Sequence, residues 1–556
     1  MSYSGGYYSI RKPLVKAGHH KHTSTLEDPV SDAVLSAVNI IQAVPWKINN
    51  FVLTVMEEIW ESGAAIGCVP SAEDEPVPPR LPDEQWEAMS DKEKMQYKAK
   101  VAIVHGKNAE MQGKREAFIR KLRLAQELRD QPAIYFPHNL DFRGRIYPMT
   151  QDLNPQNDDV AKGLLTFSRG KPLGTRGAKW LAIALANAAG NDKMSMTDRE
   201  IWTRMHSDQI VRCATHPLET DFWYRGVDEP WQFLALCKEW LGYVTYGDDH
   251  VCFVAIHVDG SCNGLQHLSA MGRDPVGARA TNLTRDPVRQ DIYLEVAEEV
   301  KRLVAIDAAA GIPEAVAWLG KVNRKTVKRA VMTTPYGVTY RGIRDQLVQD
   351  GHTDEIEGQA FRQADYLRDK LVDALGKTVR SARDIMAWIQ GIALALADHD
   401  IPFRWTTPVG MVVQQSYWKM GSKRIKTLWG DQYINPIEYY EDSTLGLNSR
   451  KQSLASAPNV IHSFDAAHLV NTVIMSRLEG IEDFSFIHDS YGTHPCDVDT
   501  LSRILREQFV LQYSEDWLAK LEEEVRSYAP DVELPERPPL GNFDVTEVLE
   551  SVYFFS

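Results

Sequence analysis

Apolar residues recur at helical spacing in the first part of this chain, and helical and extended patterns alternate through its middle. From Asp32 to Trp60 the series Ala33, Leu35, Val38, Ile41, then Ile48, Val52 and Val55 predicts helix. Val69 to Asp83 is rich in Pro and acid and predicts a linker or exposed loop. A long helical region follows, from Asp83 to about Asp130. The apolar run beginning at Trp180 is short and predicts a buried helix. Val251 to Val258 and Phe484 to His488 have the composition of buried strands, and each delivers the chain to an aspartate, Asp259 and Asp489. Phe403 to Tyr440 predicts extended chain, folded into hairpins at Pro408-Val409-Gly410 and Gly430-Asp431. Pro530 to Pro539 predicts a Pro-rich tail segment, and no internal repeat is visible.

Composition narrows the class. The chain has 556 residues, 44% hydrophobic and 25% charged, ordinary values for a globular protein of several domains. No run approaches about 18 apolar residues, so no membrane span is expected. No apolar core follows the N-terminus, which argues against a secretory signal. The expected compartment is the cytoplasm, with organelle import as the minor alternative because the first 26 residues are basic, Ser-rich and free of acid. Cys68, Cys213, Cys237, Cys252, Cys262 and Cys496 form no C-x-x-C pair and read as reduced thiols. His19, His20, Lys21 and His22 read as a solvated basic segment rather than a metal site.

The net charge of −14 argues against a surface coated in positive charge, but affinity for nucleic acid follows the local field. Ten basic residues between Lys92 and Arg123 fall in one helical region. They read either as a solvated face or as an arm lying along phosphates.

Three segments carry candidate chemistry. In the first, a buried strand brings Asp259 to the turn Gly260-Ser261-Cys262-Asn263-Gly264, where glycines permit close approach. In the second, a strand brings Asp489 to the turn of Ile487-His488-Asp489-Ser490-Tyr491-Gly492. If the two carboxylates meet, they repel unless a cation lies between them. Two metal ions about 3.5–4 Å apart would clamp the attacking and leaving oxygens of a phosphoryl displacement. Mg²⁺ suits such a site, because it takes one or two carboxylates plus substrate phosphates. The third runs from Arg324 to Gly337. Arg324 and Lys328 share one helix face at i and i+4, an arrangement that a bridging triphosphate would stabilise. Pro335 should end that helix near Thr334, leaving Tyr336 and Gly337 at its end.

These segments, in this order, resemble motifs A, B and C of the single-subunit DNA-dependent RNA polymerases of bacteriophages and mitochondria. Phe142-Arg143-Gly144-Arg145-Ile146-Tyr147 resembles the family's segment before motif A, and Asn459 to Asp465 its segment between B and C. Tyr553-Phe554-Phe555-Ser556 resembles the aromatic C-terminus of the phage enzymes. The likeness runs from about Arg11 to the end.

The resemblance implies an α+β, mostly helical right-hand polymerase with a small antiparallel palm sheet. It implies a remnant of the N-terminal domain at 1–50, a thumb at 51–130 and a palm at 131–275 and 463–556, ending in a C-terminal foot. Fingers would occupy 276–462, with a specificity hairpin at about 411–445. Asp259 and Asp489 would hold two Mg²⁺ ions, aided by the Gly260 carbonyl. Arg324, Lys193 and Lys328 would hold the triphosphate, with Lys328 also placed to protonate the leaving pyrophosphate. Tyr336, with Gly337 beside it, would stack near the templating base and help select the sugar. His462 would touch the nascent pair, and Arg143 and Arg145 would contact template or transcript phosphates. His488 would either orient the primer end or pack in the core. Lys423, Tyr433 and Asn435 would face the major groove of a promoter.

The implied partners are a DNA template, an RNA transcript and ribonucleoside triphosphates, with the protein a monomer. Gly264 stands five residues after Asp259, where related DNA polymerases carry a bulky Glu, so a 2′-OH should fit. This disfavours a DNA polymerase or primase of the same fold. A catalytically inactive nucleic-acid-binding remnant is the other alternative. The resemblance leaves most of the phage enzymes' N-terminal domain without a counterpart in this sequence, so promoter recognition is expected to be altered or supplied by a separate protein, unless the chain is a natural short form or a fragment. Pro335 departs from the more usual Ala or Val, and Asn263 from Ser, the latter with little expected effect.

Overall fold

A computed structural model describes residues 13–16, 26, 29–356, 358–429 and 432–556, without the side chains of 429 and 432–434. The cluster from His19 to His22, the Gly430-Asp431 turn and the Tyr433 side chain therefore lie outside the described residues. The fold is mostly helical with small antiparallel sheets, as the family resemblance implied.

The helical pattern from Asp32 to Trp60 resolves into two helices, Asp32–Gln42 and Asn50–Ser62, separated by the strand Trp46–Ile48. Pro45 has no N–H to continue a helix. The strand instead pairs with Leu165–Phe167, and Ile48, expected on a helix face, is buried in that sheet. Ser31 and Asn49 cap the two helices by accepting from the amides of Val34 (3.4 Å) and Val52 (3.3 Å).

The helix Asp91–Leu128 has 38 residues and opens on a capping box formed by Ser90 and Glu93. Only Phe118, Lys121, Leu122 and Ala125 on it are buried, so it is anchored by its C-terminal third. There Phe118 packs on Trp60, with ring centroids 5.3 Å apart. The acidic loop before it folds back along the same helix. Glu75 pairs with Lys107 at 3.2 Å and Asp74 with Arg115 at 2.8 Å. Part of the helix's positive charge is thus neutralised within the chain.

A three-stranded antiparallel sheet lies at the centre, in the order Ser485–Ile487, Ser490–Thr493, Ile256–Asp259. Its register sets Asp259 opposite Ser490 and His257 opposite Gly492. Strand alternation sends Ile256, Val258, Phe486 and Tyr491 into the core, while Asp259 and His257 line a cleft. Behind the sheet, the buried helix Ser449–Leu478 packs against Arg380–Asp398, Val498–Gln512 and Asn263–Met271.

The single strand expected from Val251 to Val258 is two strands. Val251–Cys252 pairs with Lys171–Pro172, and only Ile256–Asp259 joins the central sheet. Between them the Phe253 carbonyl accepts from the Phe167 amide (3.0 Å) and the Thr166 hydroxyl (2.6 Å), which diverts the chain. The expected hairpins are present. Phe403–Thr406 pairs with Val412–Gln415, Met420–Arg424 with Ile437–Glu441, and Thr427–Trp429 with Gln432–Ile434. Among the described residues no helix is long and apolar enough to cross a membrane.

Candidate active site

The tertiary fold joins the two aspartate segments. The Gly260 amide donates to the Asp489 carbonyl at 3.3 Å, so both strand ends open at one place. The chain end closes the floor: Phe555 bridges Gly260, and the Ser556 amide donates to the Asp259 carbonyl at 3.2 Å. His488 and Cys262 flank the pair in left-handed backbone, with φ of 56° and 60°. Such conformations are strained for side chains of this kind and collect at functional sites.

Burial raises the Asp489 carboxyl to about 6, and the nearby charges of Asp465 and Asp259 push the same way. Asp259 is also raised, first by desolvation, against a hydrogen bond from Ser490 and the charge of Lys162. Burial disfavours the charge of both acids and Asp259 adds to it at Asp489, a strain that a cation would relieve. The donor set is hard oxygen, and among the described residues no cluster of three or more His, Cys, Asp or Glu gathers around a metal position. Two carboxylates with phosphates to complete the shell suit Mg²⁺ rather than a structural zinc.

The cleft, about 780 Å³, is lined by Asp259, Gly260, Lys193, Arg324, Lys328 and Arg289 among others. Three cations singled out in the sequence therefore meet one of the two aspartates in a single space. The helix Arg324–Thr333 is capped by Asn323, which accepts from the amides of Lys325 and Thr326. Asp291 accepts from Arg324 Nε at 2.6 Å, and its other oxygen caps the helix Ile292–Ala309. Lys193 pairs with Asp192 at 2.5 Å, and its ammonium pKa is lowered by desolvation. Lys328 has no ion-pair partner among the described residues.

Tyr336 stands beside this cleft and faces a second groove with Arg450, Lys451 and Asn459. A short 3₁₀ turn, Thr334–Tyr336, ends the preceding helix at the expected place, and Gly337 follows at φ +71°. A Cβ on Gly337 would lie 3.0 Å from the Leu454 carbonyl, a close approach that fits glycine. The Tyr336 ring packs on His462, centroids 4.6 Å apart. His462 Nδ1 lies 2.6 Å from Arg143 Nη1, and burial holds this imidazole neutral, with a pKa near 2. Nδ1 is then the acceptor and Nε2 carries the proton. Gly264 lies under Tyr336: a Cβ there would come within 3.0 Å of both Pro335 Cβ and the Tyr336 hydroxyl. The place a side chain would need there is taken by Pro335 and Tyr336.

Arg143 and Arg145 are engaged inside the protein. Arg143 pairs with Asp141 at 2.6 Å, and Arg145 with the buried Asp465 at 2.7 Å. Burial opposes the Arg145 charge, but Asp465 outweighs it and holds the guanidinium above its ordinary range. Asp465 also accepts from Asn263 at 2.8 Å, so Asn263, expected to matter little, ties the turn after Asp259 to the helix behind it. The sequence singled out no role for Asp465 itself. An acid among small and apolar residues in Ser463-Phe464-Asp465-Ala466-Ala467 was the available signal, since a buried carboxylate requires a partner. His488 packs edge-on to Tyr147 at 4.8 Å, and its buried Nδ1 has no partner among the described residues.

Lys423 and Asn435 stand on the exposed double hairpin, with Lys423 paired to Glu438 at 2.9 Å. They are not among the residues lining the cleft.

Comparison with known proteins gives this geometry a family. A family described as DNA-dependent RNA polymerase matches residues 171–531. A mitochondrial DNA-directed RNA polymerase 1B of Nicotiana tabacum is 38% identical over 538 residues, covering 94% of this chain and 52% of that protein. DNA-directed RNA polymerase 2 of Arabidopsis thaliana, named chloroplastic/mitochondrial, is 37% identical over 536 residues, covering 94% and 52%. The chloroplastic DNA-directed RNA polymerase 3 of Nicotiana sylvestris is 36% identical over 537 residues, covering 94% and 54%. The chain spans about half the length of the curated relatives it matches. The segments carrying Asp259, Arg324, Lys328 and Asp489 all fall inside the matched region, and the chain belongs to the DNA-dependent RNA polymerase family.

Proposed function

We propose that this chain extends RNA on a DNA template, transferring ribonucleotides from their triphosphates to an RNA 3′ end with release of pyrophosphate. The observation that carries the reading is the convergence of Asp259 and Asp489 at facing strand ends beside a cleft that holds Lys193, Arg324 and Lys328. The fold is read as a right hand: thumb at 51–130, palm at 131–275 and 463–556 around the central sheet, fingers at 276–462. Residues 1–50 are read as the end of an N-terminal domain.

Asp259, Asp489 and the Gly260 carbonyl would hold two Mg²⁺ ions. When bound, these supply charge stabilisation to the attacking and leaving oxygens of the displacement. Arg324 and Lys193 hold the triphosphate, and Lys328, without a carboxylate partner among the described residues, is available to give a proton to the departing pyrophosphate. Tyr336 borders the nascent base pair, with His462 behind its ring fixed by Arg143. With Gly264 where related DNA polymerases carry a bulky Glu, no side chain from this position blocks a 2′-OH, which favours ribonucleotides over deoxyribonucleotides. Arg143 and Arg145 support these groups from within, and any phosphate they contact approaches guanidinium edges not taken by Asp141 and Asp465. The hairpin with Lys423, Tyr433 and Asn435 is read as a promoter-reading element, assisted by a separate protein. The enzyme is read as a monomer. The compartments in the relatives' names make an organelle the first place to look for it, rather than the cytoplasm.

The test is extension of an RNA primer annealed to a DNA template, with Mg²⁺ and ribonucleotides. Wild type should extend the primer, and Asp259→Ala and Asp489→Ala should not, while binding the scaffold as wild type does. An active Asp489→Ala protein would refute the assignment.

A further inference from the structure

We propose that Arg289 is a further phosphate-binding residue, contacting the β- and γ-phosphates of the incoming nucleotide and the pyrophosphate that leaves. The inference rests on the polymerase reading above. Arg289 precedes the helix Ile292–Ala309 and lines the same cleft as Asp259, Lys193, Arg324 and Lys328.

Its hydrogen bonding is incomplete. A guanidinium has five N–H donors. Among the described residues, that of Arg289 reaches one acceptor, the Asp192 carbonyl. Arg324 has Asp291 and Lys193 has Asp192, but Arg289 has no carboxylate partner among the described residues. It is half-buried; desolvation lowers its pKa, against the favourable charges of Asp192 and Asp291, and Arg324 adds to the lowering. A cation held in this way is stabilised by an arriving anion. The cleft lining carries six cations, four of them Lys193, Arg289, Arg324 and Lys328, against five acids, and an arriving polyanion would pair with the cations.

A purely tethering role would duplicate what is present. The turn carrying Lys193 is already held by the fully buried Arg199. That residue donates to the Met194 carbonyl (3.0 Å), the Asn187 side chain (2.9 Å) and the same Asp192 carbonyl (2.7 Å). The single bond from Arg289 instead leaves its remaining donors without an acceptor among the described residues. The position selects phosphate over sugar or base, because Tyr336 and His462 are not among the groups lining this space.

The test uses the full chain on the annealed scaffold, with Arg289→Ala, Arg289→Lys and Arg289→Gln. Three quantities are read: KM for ribonucleoside triphosphates, the inhibition constant of inorganic pyrophosphate, and that of a ribonucleoside monophosphate. Losing one charge-assisted contact should raise the first two about tenfold in the Ala and Gln variants. The third should not move, and Lys should recover most of the loss. The Gln variant keeps a donor for Asp192 and reads the same constants should Ala unfold. Pyrophosphate inhibition within twofold of wild type in both neutral variants overturns the inference. So does an equal weakening of mono- and triphosphate, which marks a tether. A wild type that neither extends the primer nor responds to pyrophosphate overturns the polymerase reading itself, and this inference with it.

Discussion

Asp465→Asn should destabilise the protein by about 3–5 kcal/mol, the range for removing one partner of a buried ion pair. The carboxylate is 1% exposed. One oxygen accepts from Arg145 Nε (3.0 Å) and Nη2 (2.7 Å), the other from Asn263 (2.8 Å). An amide has one oxygen for these donors. If it faces Asn263, its NH₂ opposes the guanidinium donor to donor; if it faces Arg145, the two amides oppose. In either case Arg145 loses its counter-charge in the interior. The carboxyl gives a second magnitude. Burial alone would raise it, but the charge of Arg145 holds it near 2, against an ordinary 3.8. That difference corresponds to roughly 2–3 kcal/mol, near the lower end of the first figure. The sign follows from linkage. A carboxylate with a depressed folded pKa contributes its stability above the ordinary value and loses it as pH falls through about 2. Urea unfolding followed by far-ultraviolet circular dichroism should give a wild-type-minus-variant difference that is flat from neutral pH to about 5 and shrinks below about 4. Arg145→Met and the double variant complete a cycle whose coupling should reach about 2 kcal/mol. A variant within about 0.5 kcal/mol of wild type at pH 7, or a difference that ignores pH, would refute the reasoning.

Gly264→Ala places a methyl 3.0 Å from Pro335 and the Tyr336 hydroxyl, and overpacking of this kind costs about 1–3 kcal/mol. The thermal midpoint should fall, and the ratio of ribo- to deoxyribonucleotide incorporation should change as Tyr336 moves; an unmoved midpoint with an unmoved ratio sinks it. Arg324→Gln removes the partner of Asp291 and should raise the triphosphate KM about tenfold, whereas Lys328→Ala should lower kcat by at least about a hundredfold. Equal effects of the two on KM alone would count against a proton-transfer role for Lys328. Thiol labelling of the native protein should reach Cys68 well before Cys213, Cys237 and Cys252, which are fully buried. Partial burial and the nearby Asp159 and Asp158 raise the Cys68 thiol, so at neutral pH it should label more slowly than a free cysteine and speed up as pH rises; equal labelling of the buried three would show the packing to be wrong.

Much of this was legible in the chain. Helix content, the hairpins from Phe403 to Tyr440 and the end of the Arg324 helix at Pro335 follow from local rules, because periodicity, turn residues and a missing N–H act within a few residues. The candidate residues Asp259, Asp489, Arg324 and Lys328 were identifiable because a carboxylate after a buried strand and two cations on one helix face are chemical statements made locally.

The strand after Pro45 and the split of Val251 to Val258 went the other way. Those segments took their form from distant partners, Leu165–Phe167 and Lys171–Pro172, which no local pattern names. The same holds for the site. Which cations lack a carboxylate, which arginines are tied up by Asp141 and Asp465, and that Gly264 supports Tyr336 all depend on residues far apart in the chain. The sequence by itself determined the kinds of element and the chemical groups available. Only the tertiary structure decided which charges meet, because Coulomb and hydrogen-bond energies depend on separation and burial, and these exist only once the strands and helices have packed.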